Sequence, residues 1–300
     1  MIRTNALLIC LLTANTAIAS VEPSLFSSVQ YRSTDWYSSG QGGFEIDTNV
    51  YKSLDFTISA NDKFSAGLIL DLDDNENEVT RYSAQLGFGK YGAIVEKGQV
   101  NGQFVFEDYY DIQNSGRFSS EYKFYAIYKG KHSKSGIGYV EYTFPVQSEV
   151  NYGLLEQVEF VDPEAEVKIF GYFFGTDSLR KMMQWNGSRS KWAFDTFGVI
   201  GFMTVTPSDI KNAAILSACS NACKVTSETF NMLGSVSSFR YGYNMSINQQ
   251  SFKLGFSIGG EIRLHGSMLD LSDSNSDNVI IPYATSQILY GPYVRVAGNW

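Results

Sequence analysis

Histidine, cysteine and proline are scarce in this 300-residue chain, at two, three and six residues. So few histidines and cysteines leave no cluster spaced to ligate a metal, and no cofactor is expected. Long apolar runs are missing too. Beyond the N-terminus no stretch reaches the roughly 20 residues that a membrane-spanning helix needs. Cations are in deficit, with 23 Lys and Arg against 31 Asp and Glu and a net charge of −8. A chain of that sign has little with which to neutralise phosphates, which excludes a nucleic-acid partner.

The N-terminus carries an export signal. Arg3 precedes the short apolar run Ala6 to Leu12, and Ala17-Ile18-Ala19 puts small residues ahead of Ser20. This is the pattern of a secretory signal peptide over residues 1–19, leaving 20–300 as the mature chain. Ile9 before Cys10 does not suit a lipoprotein signal, which needs a small residue there. Without the leader only Cys219 and Cys223 remain. In an oxidising compartment their close spacing predicts a small local disulfide.

Tyr, Phe and Gly are abundant at 19, 21 and 27 residues. The mean hydropathy of −0.14 is near neutral, as expected where alternating strands average out. Leu54, Phe56 and Ile58 alternate with Asp55, Thr57 and Ser59, and residues 60–63 make a tight turn. Phe64, Ala66, Leu68 and Leu70 then continue the apolar face, a hairpin pattern. Tyr82, Ala84, Leu86 and Phe88 oppose Arg81, Ser83 and Gln85 before a turn at residues 89–92. In the strand that follows, Glu96 falls on the apolar phase, and a β-bulge near Gly98 is expected to reset it. Tyr122, Phe124, Ala126 and Tyr128 oppose Glu121, Lys123 and Tyr125. Phe239, Tyr241, Tyr243 and Met245 oppose Arg240 and Asn244. Phe252, Leu254, Phe256, Ile258 and Ile262 oppose Lys253, Ser257, Glu261 and Arg263. Residues 73–78, 107–116, 145–164 and 266–286 read as long acidic loops, and 207–234 as the longest insertion. Strands at about 25–37 and 44–60 bring the count to about twelve, an even number.

The last strand sets Ile288, Tyr290, Val294, Val296 and Trp300 against Tyr293, Arg295 and Asn299. It resembles the C-terminal strand of bacterial outer-membrane β-barrels. The resemblance implies an all-β, transmembrane antiparallel β-barrel in the outer membrane of a Gram-negative bacterium. It makes Trp300 an assembly signal, and the partners outer-membrane lipids, the barrel assembly machinery and periplasmic chaperones. Both termini then lie in the periplasm, with short periplasmic turns and long acidic extracellular loops. The rival is a soluble β-sandwich or a periplasmic lipid-binding barrel, with its apolar faces inward. Strands long enough to cross, and aromatics near strand ends (Tyr82 and Phe88, Tyr122 and Tyr128) as in an interfacial girdle, favour the membrane barrel. The layout is similar to a solitary autotransporter β-domain, although Gly298-Asn299-Trp300 departs from the commoner terminal Phe. A small porin has a similar layout.

The polar phase of the strands predicts a lumen lined by Arg32, Asp55, Asp71, Arg81, Glu121, Lys123, Glu141, Lys168, Asp195, Arg240, Lys253, Glu261, Arg263 and Arg295. Mixed signs fit either a narrow channel that screens solutes or a lumen closed by paired charges. The solute is unknown, and a structural or surface-interaction barrel stays open beside the pore. The chain is not expected to be an enzyme. The one enzymatic alternative is His265-Gly266-Ser267 with Asp270, which resembles the His-x-Ser spacing of outer-membrane lipid A deacylases. His132 reads as a solvated turn residue. Asp73, Asp74, Glu76 and Glu78 lack the Gly and closing Glu of a calcium loop.

Overall fold

Aromatic and β-branched residues alternating with polar ones impose a period of two, which only extended chain satisfies. A computed structural model of the chain describes residues 25–39, 44–45, 51–60, 63–72, 77–107, 113–151, 157–206, 230–248, 252–270, 280–282 and 286–299. The leader 1–19, Cys219, Cys223 and Trp300 lie outside the described residues, as does the side chain of Asp71. Twelve long strands follow one another: β1 (Leu25–Ser39), β2 (Tyr51–Ala60), β3 (Phe64–Leu72), β4 (Asn77–Phe88), β5 (Tyr91–Glu107) and β6 (Gln113–Lys129). The second half is β7 (Ser133–Asn151), β8 (Gln157–Thr176), β9 (Arg189–Thr206), β10 (Phe230–Asn248), β11 (Lys253–Asp270) and β12 (Ser286–Asn299). Among the described residues one helix, α1 (Ser178–Met183), joins β8 to β9.

Each strand pairs antiparallel with the next, and β12 pairs back onto β1 through Val29↔Val296 and Tyr31↔Val294. The result is a closed twelve-stranded barrel whose ring has no free edge. Two short strands decorate it. Phe44–Glu45 pairs with β5, and Ile280–Pro282 pairs with β7.

The faces are sorted inside out relative to a water-soluble protein. Ile127 is 71% exposed, Phe202 70% and Phe88 67%, while Asn244, Ser246, Ser257 and Glu261 are buried. In water that sorting would waste the hydrophobic effect and strand the charges. In hydrocarbon it is the stable one, so the fold is that of a membrane-spanning barrel and the soluble rival is excluded. At the end carrying the tight turns, Phe88 and Tyr91 flank Gly89, and Trp192 stacks on Tyr241 at 5.2 Å. These aromatics form a girdle on that rim.

Several expectations need correction. Of the loop expected over residues 145–164, residues 145–151 and 157–164 are strand: β7 and β8 stay paired out to Asn151↔Gln157. Pro145 sits where their register shifts, because it has no N–H to give the ladder. The strand expected from residue 44 starts at Tyr51. No register shift occurs across the β5 pairs near Gly98. None is needed, because Glu96 points inward beside Arg81.

The phase of β6 is also reversed. Tyr122, Phe124, Ala126 and Tyr128 are buried inside, so Tyr122 and Tyr128 are not girdle residues. Phe124 packs on Phe173 and Phe197 at centroid distances of 5.9 and 5.2 Å. Half of the inner wall is thus aromatic and aliphatic, and the other half is charged. Gly138, Gly171, Gly201 and Gly234 lie in register across β7–β10. A Cβ on Gly201 would collide with the Phe170 carbonyl oxygen, so the strands approach this closely here only because side chains are absent.

Candidate functional site: a charged lumen with a helical plug

The lumen is built from the turn end upward. After Thr176 the chain folds back into the barrel mouth as α1. Asp177 caps it, accepting the Arg180 N–H at 3.0 Å. Leu179, Met182 and Met183 recur at helical spacing and are all buried. They form one apolar cluster with Phe26 of β1 and Ala297 of β12. Gly255 of β11 leaves room for Met183: a Cβ there would lie 2.5 Å from the Met183 sulfur.

Two carboxylates pin this plug. Arg295 of β12 donates to both oxygens of Asp177, at 3.0 and 2.9 Å, a fork-on-fork contact. Asp195 of β9 accepts the Ser178 N–H at 2.8 Å and the Thr176 hydroxyl at 3.1 Å. Burial alone would push the Asp177 carboxyl up. The Arg295 guanidinium overrides it and holds the carboxyl well below the usual carboxylate range. Arg180 stacks over the Phe26 ring at 4.8 Å.

Above the plug lies a cavity of about 270 Å³. Arg32 of β1 donates to Asp55 of β2 at 3.0 Å and sits 2.8 Å from Glu261 of β11. Arg263 donates to the other Glu261 oxygen at 3.2 Å. Gln30 donates to Glu261 at 3.4 Å and accepts from Arg240 of β10 at 2.9 Å. Arg81 of β4 lies 3.7 Å from Glu96 and over the Tyr122 ring at 4.6 Å.

Of the residues the sequence nominated, the structure brings Arg32, Asp55, Arg81, Arg240, Glu261, Arg263 and Arg295 to this cavity. Asp195 is buried against the plug. Lys253 lies at the mouth, donating to the Gln184 carbonyl at 3.4 Å. Glu121, Lys123, Glu141 and Lys168 are corrected: they stand on the outer face. There Lys123 pairs with Glu141 at 2.7 Å and Glu121 at 3.4 Å. Lys168 pairs with Glu166 at 2.6 Å. Lys97, Lys123, Glu141 and Lys168 are cross-strand neighbours, so they form a polar ladder across β5–β8. Tyr122, Phe124 and Tyr128 take the inward phase of β6, which turns Glu121 and Lys123 outward together with Glu141 and Lys168, their cross-strand neighbours on β7 and β8.

His265 faces the cavity, its ring 6.3 Å from that of Tyr142. The side chains of Ser267 and Asp270 lie outside the described residues. Among the described residues no group of three His, Cys, Asp or Glu is placed to hold a metal. Sequence reasoning missed α1, Asp177, Gln30 and Glu96. The signal for α1 was present in Asp177 as a cap with Leu179, Met182 and Met183 behind it.

Comparisons with solved structures find barrels. The outer-membrane protease OmpT of Escherichia coli matches over 95% of this chain and 99% of its own, at 10% identity and a TM-score of 0.29. A Pseudomonas aeruginosa FadL homologue matches over 93% and 90%, at 9% identity and a TM-score of 0.32. Both are likenesses of architecture and transfer no residue. The expectation that the chain is not an enzyme is corrected by the first of them, which is a protease on a barrel. The autotransporter-type resemblance gains no support from either. No protein-family model matches the chain, and no curated protein does.

Proposed function

We propose that this chain is a gated pore of a Gram-negative outer membrane, with α1 as the gate. One observation carries the reading. The charged lumen ends on a short helix pinned by side chains, not on a continuous core. A helix of six residues holds little structure by itself. Its position rests on the Asp177–Arg295 fork, the Asp195 contacts and the small cluster around Phe26. Loosening those contacts opens the mouth without breaking a strand.

Export by the leader and assembly through Trp300, with periplasmic chaperones and the assembly machinery as partners, complete the proposal on sequence grounds. The tight turns and α1 then face the periplasm.

Planar-bilayer recording tests the gate. The refolded wild type shows rare stepwise openings, and Asp177→Ala with Arg295→Ala opens more often. A well-inserted double variant that stays silent sinks the pore and leaves the closed structural barrel.

A further inference from the structure

We propose that the lumen cavity is a binding site for a compact oxyanion, a phosphate, sulfate or carboxylate group, gripped by Arg81 and Arg240. The charges around the cavity carry this. Four guanidinium groups, on Arg32, Arg81, Arg240 and Arg263, face three carboxylates, on Asp55, Glu96 and Glu261. Glu261 has both oxygens engaged, by Arg32, Arg263 and Gln30. Asp55 is taken by Arg32. Farther down, Asp177 is taken by Arg295. Among these nine groups the cations are therefore in excess by one, five against four.

The excess is localised. Arg240 donates to the neutral amide of Gln30, and its Nε–H has no hydrogen-bond partner among the described residues. Arg81 is 9% exposed, its Nε–H is likewise unpartnered, and Glu96 stands 3.7 Å away, beyond hydrogen-bond reach. Both side chains border the same cavity.

A buried guanidinium without its full set of acceptors is costly, and a planar donor fork matches the oxygens of an oxyanion. An anion placed here satisfies the donors and cancels the surplus charge in one step. A cation is refused by the same surplus. A neutral solute leaves it standing. Lys134 and Arg180 also border the cavity, adding to the positive field at its lower end. The cavity, about 270 Å³, admits one such group with a small remainder attached. The assignment does not require conduction, so it and the gate fail separately.

Isothermal titration of the full-length barrel in detergent, with sodium phosphate in one arm and sodium acetate in the other, tests it against chloride at matched ionic strength. Saturable one-site binding is expected in at least one arm. Arg240→Gln and Arg81→Gln weaken it ten-fold or more. Lys129→Gln, on the outer face, leaves it unchanged. Folding of each variant is checked by heat-dependent migration on a gel. Arg240→Lys, which keeps the charge and loses the fork, serves if Arg240→Gln does not fold, and binding is expected to fall there too. Absence of saturable binding in both arms overturns the proposal. So does binding that both arginine variants leave intact.

Discussion

Glu261 shows how tightly single side chains are committed inside the barrel. It is 2% exposed and meets Arg32, Arg263 and Gln30 at once. Removing its charge leaves two buried arginines facing one another. Glu261→Gln is therefore expected to destabilise the barrel by about 3–5 kcal/mol, the range for breaking a buried ion pair. Urea unfolding in lipid vesicles measures it, and a change under about 1 kcal/mol would contradict the network. Asp177 sets a pH dependence. Its carboxyl is depressed in the folded chain, so its contribution is fully present above the ordinary unfolded pKa of about 3.9. It is lost only as pH falls further, through the folded value. Channel openings should therefore be equally rare at pH 7 and pH 5. A rise in open probability between those values would show that Asp177 is not what pins the plug.

At the scale of elements, the strands were legible and the helix left only a faint trace, a cap at Asp177 and three apolar residues behind it. Period-two alternation over ten or more residues is a strong signal, and it located the hairpins around Ala60, Gly89, Gly130 and Asn248. Six residues of helix give under two turns, too few for a 3.6-residue period to stand out. Which face of a strand points inward was legible only where one phase was purely polar. In β11, Ser257, Glu261 and Arg263 leave no ambiguity. In β6 both phases carry aromatics, Tyr122 and Phe124 inside and Tyr125 outside, so composition alone chose wrongly. The clustering of arginines on one cavity was hidden because it joins strands far apart in sequence. Two predictions belong here. Met183→Asp puts a charge into the Phe26 and Ala297 cluster, and should release α1 while the barrel still folds. Frequent openings of a heat-modifiable variant would be the readout. Gly201→Val drives a side chain against the Phe170 carbonyl, and should block the β8–β9 register altogether. Recovery of folded Gly201→Val barrels at wild-type yield would refute the need for glycine at this close approach.

At the scale of the molecule, the inside-out sorting makes a direct prediction. A cysteine at Leu254 should be quenched from the lipid, and one at Lys253 should not. Equal quenching at both would contradict the orientation of β11. The outer surface is also uneven around its circumference. On β11 the outward phase stays free of charge from Leu254 to Leu264, about 25 Å at the usual strand tilt. On β6 the first charge above the turn, Lys123, comes six residues from Lys129, about 15 Å. The ladder of Lys97, Lys123, Glu141 and Lys168 therefore cuts a step into the apolar belt along one arc. A bilayer of even thickness fits both sides only if the barrel axis leans, or if the lipid thins beside β5–β8. Either response gives the barrel a heading in the plane of the membrane. Its short side is drawn to thin lipid and to the short side of a neighbour. Two such barrels in a crowded membrane would turn toward one another before any side chain touched.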